Sequence, residues 1–417
     1  MTFFSTLSPG RRLLSGLMLA GLLWLLPITG QAEDVSSASL VTASQGFDLN
    51  SLFDGNRYTG SRGRDHATIT LAHPEGLTGA YLNFDWEYHS FTVTETATGE
   101  SHILGLEHYL HTYVDLQAVF GHPVQEVRFG FHSGAVPLLE ISLFTSGPLP
   151  DWVQRWQPPA DGSADLLLLS AHSDDEQLFF AGMLPYYAGE LGYRVQVAYL
   201  TNHRNISHQR CHEALDGLWA VGVRQYPIFG DFGDYYSTRL NDAINSYTYQ
   251  GVSQETLLDY AVTLLRRFRP LVAVSHDLQG EYGHGAHMLC AQLLTQAAEI
   301  SHDENTFPDS AGKYGCWETP KIYLHLYENN PILLDYDRPL ERFGGMTAFQ
   351  VSKTLGFPSH VSQVPDFQWY YYGAQKATDI SKYSPCQFGL WYSSVGADVE
   401  KHDLFEHISP DFREKIQ

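Results

Sequence analysis

The sequence predicts an all-β sandwich followed by an α/β unit: a Rossmann-like, mostly parallel sheet with helices on both faces. Two observations carry this reading. From Glu33 to about Gly147, short apolar or alternating runs stand between turn residues, and no segment is long enough for a ten-residue helix. After Ala164, strand-like runs alternate with helix-like ones, the pattern of right-handed crossovers in a parallel sheet. A third observation says where to look for chemistry. The stretch "LLLLSAHSDDEQLFFAG", from Leu166, ends a buried run in one histidine and three carboxylates.

In chain order, residues 1–32 read as a secretory signal peptide. Arg11 and Arg12 precede an apolar stretch from Leu13 to about Pro27, and "TGQA" supplies small residues before a cut near Ala32. The stretch is short for a span of roughly 20 residues, and an uncleaved anchor is the alternative. No later segment is long and apolar enough to cross a bilayer, so the chain is expected to be exported, with no stable membrane span. The whole sequence has a net charge of −22. The leader holds two arginines and no acid, so the mature chain is more acidic still, which disfavours nucleic acid and anionic lipid as partners.

Residues 33–147 give the sandwich, with strands expected at "ATITLA", "AYLNFDW", "SFTVTET", "EVRFGFH" and "LLEISLF". Residues 148–164 are rich in proline and polar residues and read as a linker; Trp152 and Trp156 are expected to pack against something. Residues 165–417 form the α/β unit. Its strands are expected at "DLLLLSAH", "VQVAYLT", "YPIFG", "LVAVSH" and "KIYLHLY", and its helices begin near Glu176, His208, Ser253 and His284. The aromatic-rich "DFQWYYYG" and "FGLWYSS" read as a β-rich flap or as late core packing. No GxGxxG follows the first strand, which disfavours a dinucleotide. Four cysteines in an exported chain permit two disulfides. Cys211 and Cys290 fall in expected helices as buried thiols, so Cys316 and Cys386 are the better pair.

His172, Ser173, Asp174, Asp175 and Glu176 close the first α/β strand. Ser173 and Glu176 fit a capping box, and acids suit a first helical turn. That leaves His172 and the two aspartates unexplained, at the place where α/β sheets put their ligands. A second cluster, "SHDLQGEYGHGAH" from Ser275, also follows a buried strand, and His284 and His287 share one face of a helix start. A divalent metal accounts for both clusters. His172, His287 and one aspartate make three ligands with a position left for water. The other aspartate is then free to take a proton from that water, and His284 to donate a proton or steady an oxyanion.

With "AHSDDE" and "HGAH" in this order, the segment from about Asp165 to Tyr327 resembles the PIG-L/LmbE-like family of zinc-dependent N-deacetylases, whose motifs are AHPDDE and a late HxxH. The resemblance implies zinc, or another divalent ion, on His172, Asp175 and His287, with Asp174 as general base and His284 as acid or oxyanion stabiliser. It implies an N-acetylated amino sugar or glycan as substrate, most simply an N-acetylglucosamine unit. Ser173 departs from the family's proline, which puts the rigidity of the turn in question. "RCHEALDGLWAVGV" looks like the family's R-x-x-E stretch, so that Arg210 would reach the sugar and Glu213 support it; an i, i+3 surface pair is the plainer reading. His203, Arg204, His208 and His212 lie nearby without a ligand role. Asp231 and Asp234 follow another strand, where carboxylates can hold sugar hydroxyls. Asp277 is a candidate for orienting a ligand histidine. The opening "SLFDGNRYTG" and closing "LLEISLFTSG" of the front segment resemble discoidin-like or carbohydrate-binding sandwiches, as a glycan binder or as a spacer. Two rival functions remain: an amidase for another N-acyl compound, and a secreted glycan-binding protein with an inactive α/β unit.

Overall fold

A computed structural model describes residues 31–44, 46–88, 90–107, 109–132, 134–202, 208–409 and 412–413. The leader lies outside them except for residues 31 and 32, and His203 and Arg204 lie outside them altogether.

Nine strands build the sandwich: β1 (Leu40–Ala43), β2 (Ser61–Gly63), β3 (Thr68–Leu77), β4 (Gly79–Phe84), β5 (Phe91–Glu95), β6 (Ser101–Leu104), β7 (His111–Asp115), β8 (Val124–Phe131) and β9 (Val136–Phe144). They form two antiparallel sheets, ordered β1-β3-β8-β5-β6 and β2-β9-β4-β7. Each strand sends alternate side chains inward, so Ile69, Leu71, Leu82, Val93, Phe129 and Ile141 share one buried core. The outer face of β4 and β9 is covered by the linker. Trp152 packs edge-on against Tyr81 at 5.9 Å, and Trp156 against Trp219 at 5.5 Å, as expected of both tryptophans.

The α/β sheet runs β12 (Ile228–Phe232), β11 (Val195–Thr201), β10 (Leu166–Ser170), β13 (Val272–Ser275), β14 (Lys321–His325), β16 (Gln387–Ser393) and β15 (Pro331–Leu333). The first five are parallel; β16 runs antiparallel between β14 and β15, so β15 again points the same way as the first five. Strands β10 and β11 are buried along their whole length, as a sheet covered on both faces requires. The main helices are α1 (Gln209–Ala220), α2 (Leu240–Tyr249), α3 (Gln254–Phe268), α4 (Gly285–Ile300), α5 (Pro308–Tyr314) and α6 (Val364–Tyr371). From β10 the chain builds outward to β12, then crosses back to β13 on the other side of β10. The gap between the C-terminal ends of β10 and β13 is therefore a topological switch point, where an open α/β sheet forms its crevice.

Three expectations are corrected. No helix starts at Glu176: residues 173–182 wind through successive turns, and a π-helical segment follows only at Pro185–Glu190. Of the two readings of "DFQWYYYG", the β-rich flap is set aside: most of it lies in α6, and Tyr370 and Tyr371 join the core, as late core packing has it. All four cysteines are free thiols. Cys316 precedes the Lys321 end of β14, whereas Cys386 lies by Phe388, opposite His325 at the other end of the strand. The length of β14 keeps them apart. Among the described residues no helix is long and apolar enough to cross a membrane.

Candidate active site and metal centre

The turn after β10 is shaped by side chains. The N–H of His172 donates to Asp175 Oδ2 at 2.9 Å, that of Ala171 to His276 Nε2 at 3.0 Å, and that of Asp174 to Glu176 Oε2 at 2.9 Å. The expected capping box is thereby replaced, since Glu176 serves Asp174 rather than the N–H of Ser173. With no proline at Ser173, the clamp comes from Arg210, whose Nη2 donates to the Ser173 carbonyl at 2.8 Å and to Asp174 Oδ1 at 3.1 Å. Asp174 is held at φ 147°, a conformation that costs a side-chain-bearing residue about 1–3 kcal/mol. Strain of that kind persists where surrounding contacts over-determine it, and here four residues do so.

The structure brings His172, Asp175 and His287 together. His172 Nδ1 is 3.2 Å from Asp175 Oδ2 and 3.3 Å from His287 Nε2, and His287 Nε2 is 3.4 Å from Asp175 Oδ1. The far nitrogens decide what these near ones carry. His172 Nε2 faces Asp234 Oδ1 at 3.2 Å, and His287 Nδ1 faces Glu281 Oε2 at 2.7 Å. With a hydrogen on each far nitrogen, the near nitrogens of the neutral rings turn their lone pairs toward the Asp175 carboxylate. Such a knot of acceptors is unfavourable without positive charge. Burial lowers both imidazoles, but Asp234 and Asp175 overcome it at His172 and push it up to about 10; Asp175 and Glu281 raise His287 to about 9. A tetrahedral cation with ligands at about 2.0–2.1 Å sets its donor atoms about 3.3–3.4 Å apart, close to the 3.2–3.4 Å found between the two rings and the two Asp175 oxygens. The donor set fits a divalent metal. Two overlapping buried groups, His172/His284/His287 and Asp175/His276/His287, are close enough to share an ion.

Asp174 and His284 flank this cluster. Burial pushes the Asp174 carboxyl up to about 7, against the pull of Arg210. His284 is the N-cap of α4, and its Nδ1 accepts the Ala286 N–H at 3.2 Å, leaving Nε2 to carry the hydrogen. Burial lowers it to about 3, so the ring is neutral. It is built to donate one hydrogen bond.

Glu281 is the residue that the sequence did not reveal. Fully buried, it accepts His276 Nδ1 at 2.8 Å, His287 Nδ1 at 2.7 Å, His325 Nδ1 at 2.5 Å and the Asp277 N–H at 3.2 Å. Burial alone would raise it; the imidazoles hold it well below the ordinary carboxylate range. Asp277, the expected orienting residue, instead accepts the Gln279 N–H in a local turn. Asp234 is drawn to His172 and, at 3.9 Å, to Arg210, so it orients a candidate ligand while 36% of its side chain stays open. Asp231 is not brought to the cluster; it lies exposed on β12 with Asn202 Nδ2 at 3.5 Å. Glu213 does not support Arg210 either. It is buried under residue 362, accepting the Ser362 N–H at 3.0 Å and Oγ at 2.6 Å.

Residues 167–298 match the family model described as PIG-L: GlcNAc-PI de-N-acetylase. The chain is 27% identical over 191 residues to 1D-myo-inositol 2-acetamido-2-deoxy-alpha-D-glucopyranoside deacetylase 1 of Catenulispora acidiphila, covering 40% of this chain and 57% of that protein. Among solved structures, N,N'-diacetylchitobiose deacetylase from Pyrococcus horikoshii is 15% identical with a TM-score of 0.36, over 60% of this chain and 88% of that one. An F5/8 type C domain from Bacteroides fragilis is 15% identical with a TM-score of 0.24, over 29% of this chain and 99% of that one.

Proposed function

We propose, from the premise that this chain carries a PIG-L family domain over residues 167–298, that it is an exported metal-dependent hydrolase removing the N-acetyl group from an N-acetylglucosamine-type sugar or glycan. The observation that carries the reading is the convergence of His172 Nδ1, Asp175 and His287 Nε2 within 3.4 Å, with Asp174 and His284 beside them at the switch point of the sheet. His172, Asp175 and His287 would hold the ion, zinc by its donor set, and a bound divalent cation polarises a carbonyl and acidifies water. The chain supplies the rest. Asp174, kept in place by Arg210, takes the proton from the attacking water. Nε2–H of His284 donates to the carbonyl oxygen as negative charge gathers there. The C–N bond then breaks, the proton held on Asp174 passes to the leaving nitrogen, and acetate and a free amine result. Names of the matched relatives support an amino-sugar substrate, and the leader read over residues 1–32 supports export.

The test measures acetate and free-amine release from N-acetylated sugars and oligosaccharides, using metal-loaded protein recovered from outside the cell, whose N-terminus is expected near Glu33. Asp174→Asn should lose about 10²–10⁴-fold in kcat, the range for a general base. Release at the wild-type rate by that variant would overturn the assigned base. Release only from non-sugar N-acyl compounds would replace the substrate class.

A further inference from the structure

The rim of the cleft is aromatic, and it is assembled from three distant parts of the chain. Tyr236, in the loop between β12 and α2, is 74% exposed, yet its ring stands 5.2 Å from that of His284. Tyr282 also lies 5.5 Å from His284, and 6.1 Å from Phe367 of α6, which leads to the half-exposed Trp369. The third contribution is Trp86 of the sandwich, just beyond β4. Its ring centroid is 6.5 Å from that of His208, at the N-cap of α1. Two residues along that helix, Arg210 grips Asp174.

Trp86 is held in place. The Arg62 guanidinium lies over its ring at 4.8 Å, and Asp85 pairs with Arg62 at 3.7 Å and with His208 Nδ1 at 3.4 Å. The same helix fixes the whole sandwich. His208, His212 and Asp216, spaced i, i+4, i+8 and so on one face, meet Asp85, His111 and Arg57 respectively. Arg210 projects from another face of α1 into the site. A single rigid helix therefore sets the position of Trp86 relative to Asp174. Rigid aromatic rings offer large apolar contact at low entropic cost, and ligand clefts place them where apolar faces of a substrate will lie.

We propose that the sandwich forms part of the active-site wall, with Tyr236 beside the reacting sugar and Trp86 at an outer subsite, so that the substrate is a chain of amino sugars rather than a single unit. This deepens the function proposed above and rests on it. A pyranose presents a C–H face that stacks on an aromatic ring, and two platforms, one beside His284 and one beside His208 at the start of α1, select for length.

The test measures, by calorimetry, binding of β-1,4-linked N-acetylglucosamine oligomers of one, two, four and six units to metal-loaded Asp174→Asn protein. Affinity should rise at least about tenfold from one unit to four, and adding Trp86→Ala should erase most of that rise. Trp86→Phe, which keeps a platform, should retain most of it and controls for misfolding. Affinity independent of length, or an equal loss at every length in the Trp86→Ala protein, overturns the outer subsite while leaving deacetylation intact. Absence of binding to every oligomer, together with wild-type release from none, overturns the amino-sugar reading and the subsite with it.

Discussion

Glu281 organises the centre without touching the cluster's inner face. Its oxygens take hydrogens from His276, His287 and His325, and the other His325 nitrogen faces the Ser384 carbonyl at 2.8 Å. Both His325 nitrogens face oxygen acceptors, so the ring ties the buried Glu281 carboxylate to the chain at Ser384. Glu281→Gln would present an amide N–H₂ to rings that are themselves donors, and His287 would lose what fixes its Nε2 lone pair. Metal affinity, read by competition with a chromophoric chelator, should fall about 10–100-fold. Asp277→Asn, which changes a side chain outside this network and keeps its backbone N–H, should stay within about twofold; equal losses in both would remove the orienting role. The reason Glu281 escaped the sequence reading is geometric. Its partners are spread from residue 276 to 325, and adjacency in sequence favoured Asp277. One local signal was present: Gly280, at φ 68°, turns the chain so tightly that an added Cβ would stand 2.5 Å from the His284 carbonyl oxygen. His172, Asp174, Asp175, His284 and His287 were legible because each motif sits at the end of an apolar strand.

Helix α3 shows how one side chain can hold an element to its neighbours. Arg266, in its last turn, is fully buried and spends all five hydrogens: Nε on Ser301 O, Nη1 on Phe307 O and Ser310 Oγ, and Nη2 on Asp303 O and Thr306 O, at 2.7–3.0 Å. The chain leaving α4 and entering α5 folds around this fork. Arg266→Lys replaces a planar fork by three donors at one point, so at least two of the five bonds are lost. With each lost bond to a charged donor worth about 1.5–3 kcal/mol, the loss should be about 3–6 kcal/mol in urea unfolding; a change within about 0.5 kcal/mol would refute it. Element legibility follows local chemistry. Helix α3 was placed correctly at Ser253, whose Oγ accepts the Thr256 N–H at 3.0 Å. The expected helix at Glu176 failed because the acids there bind backbone N–H groups of the turn instead of capping a helix. Helix α6 was missed because its aromatics suggested strand, although Pro365 and Asp366 in its first turn were helix-start signals.

Across the whole molecule, the change from period-two strands to alternating strands and helices near Ala164 made both halves legible, but not their junction. That junction joins residues 57, 85, 111 and 154 to 208, 212 and 216, and nothing in the sequence reading linked the two sets. At its centre His111 Nε2 meets His212 Nδ1 at 2.7 Å, His111 Nδ1 faces Gln154 Oε1 at 2.7 Å and Tyr81 Oη at 3.0 Å, and Asp216 accepts Arg57 and, at 2.7 Å, Gln154 Nε2. Gln154 Oε1 can accept only, so His111 donates through Nδ1 and accepts from His212: one hydrogen on each ring satisfies the chain of bonds, and a second has no acceptor here. Burial, with Arg57 for His111 and with His111 and Arg57 for His212, sets both rings well below their ordinary value. The unfolded chain binds protons at these histidines as pH falls through about 6.5, and the native protein does not. Stability from this pair is therefore complete above that value and drains away below it. Asp85 acts in a lower window: hydrogen bonding to His208 lowers its pKa, so its contribution is lost only through the carboxylate range. Between pH 7.5 and 5.5 the pair should cost about 3 kcal/mol, since each histidine loses about 1.4 kcal/mol per pH unit once below its unfolded value. Metal-loaded wild type and His111→Gln/His212→Gln protein, unfolded by urea at both values, share every other titrating group, so the difference of their differences isolates the junction. The wild type should lose about 3 kcal/mol more than the variant. Parallel losses would mean that these rings take up protons in the folded protein, and that the two halves are held together by Arg57 and Asp216 with no dependence on pH in this range.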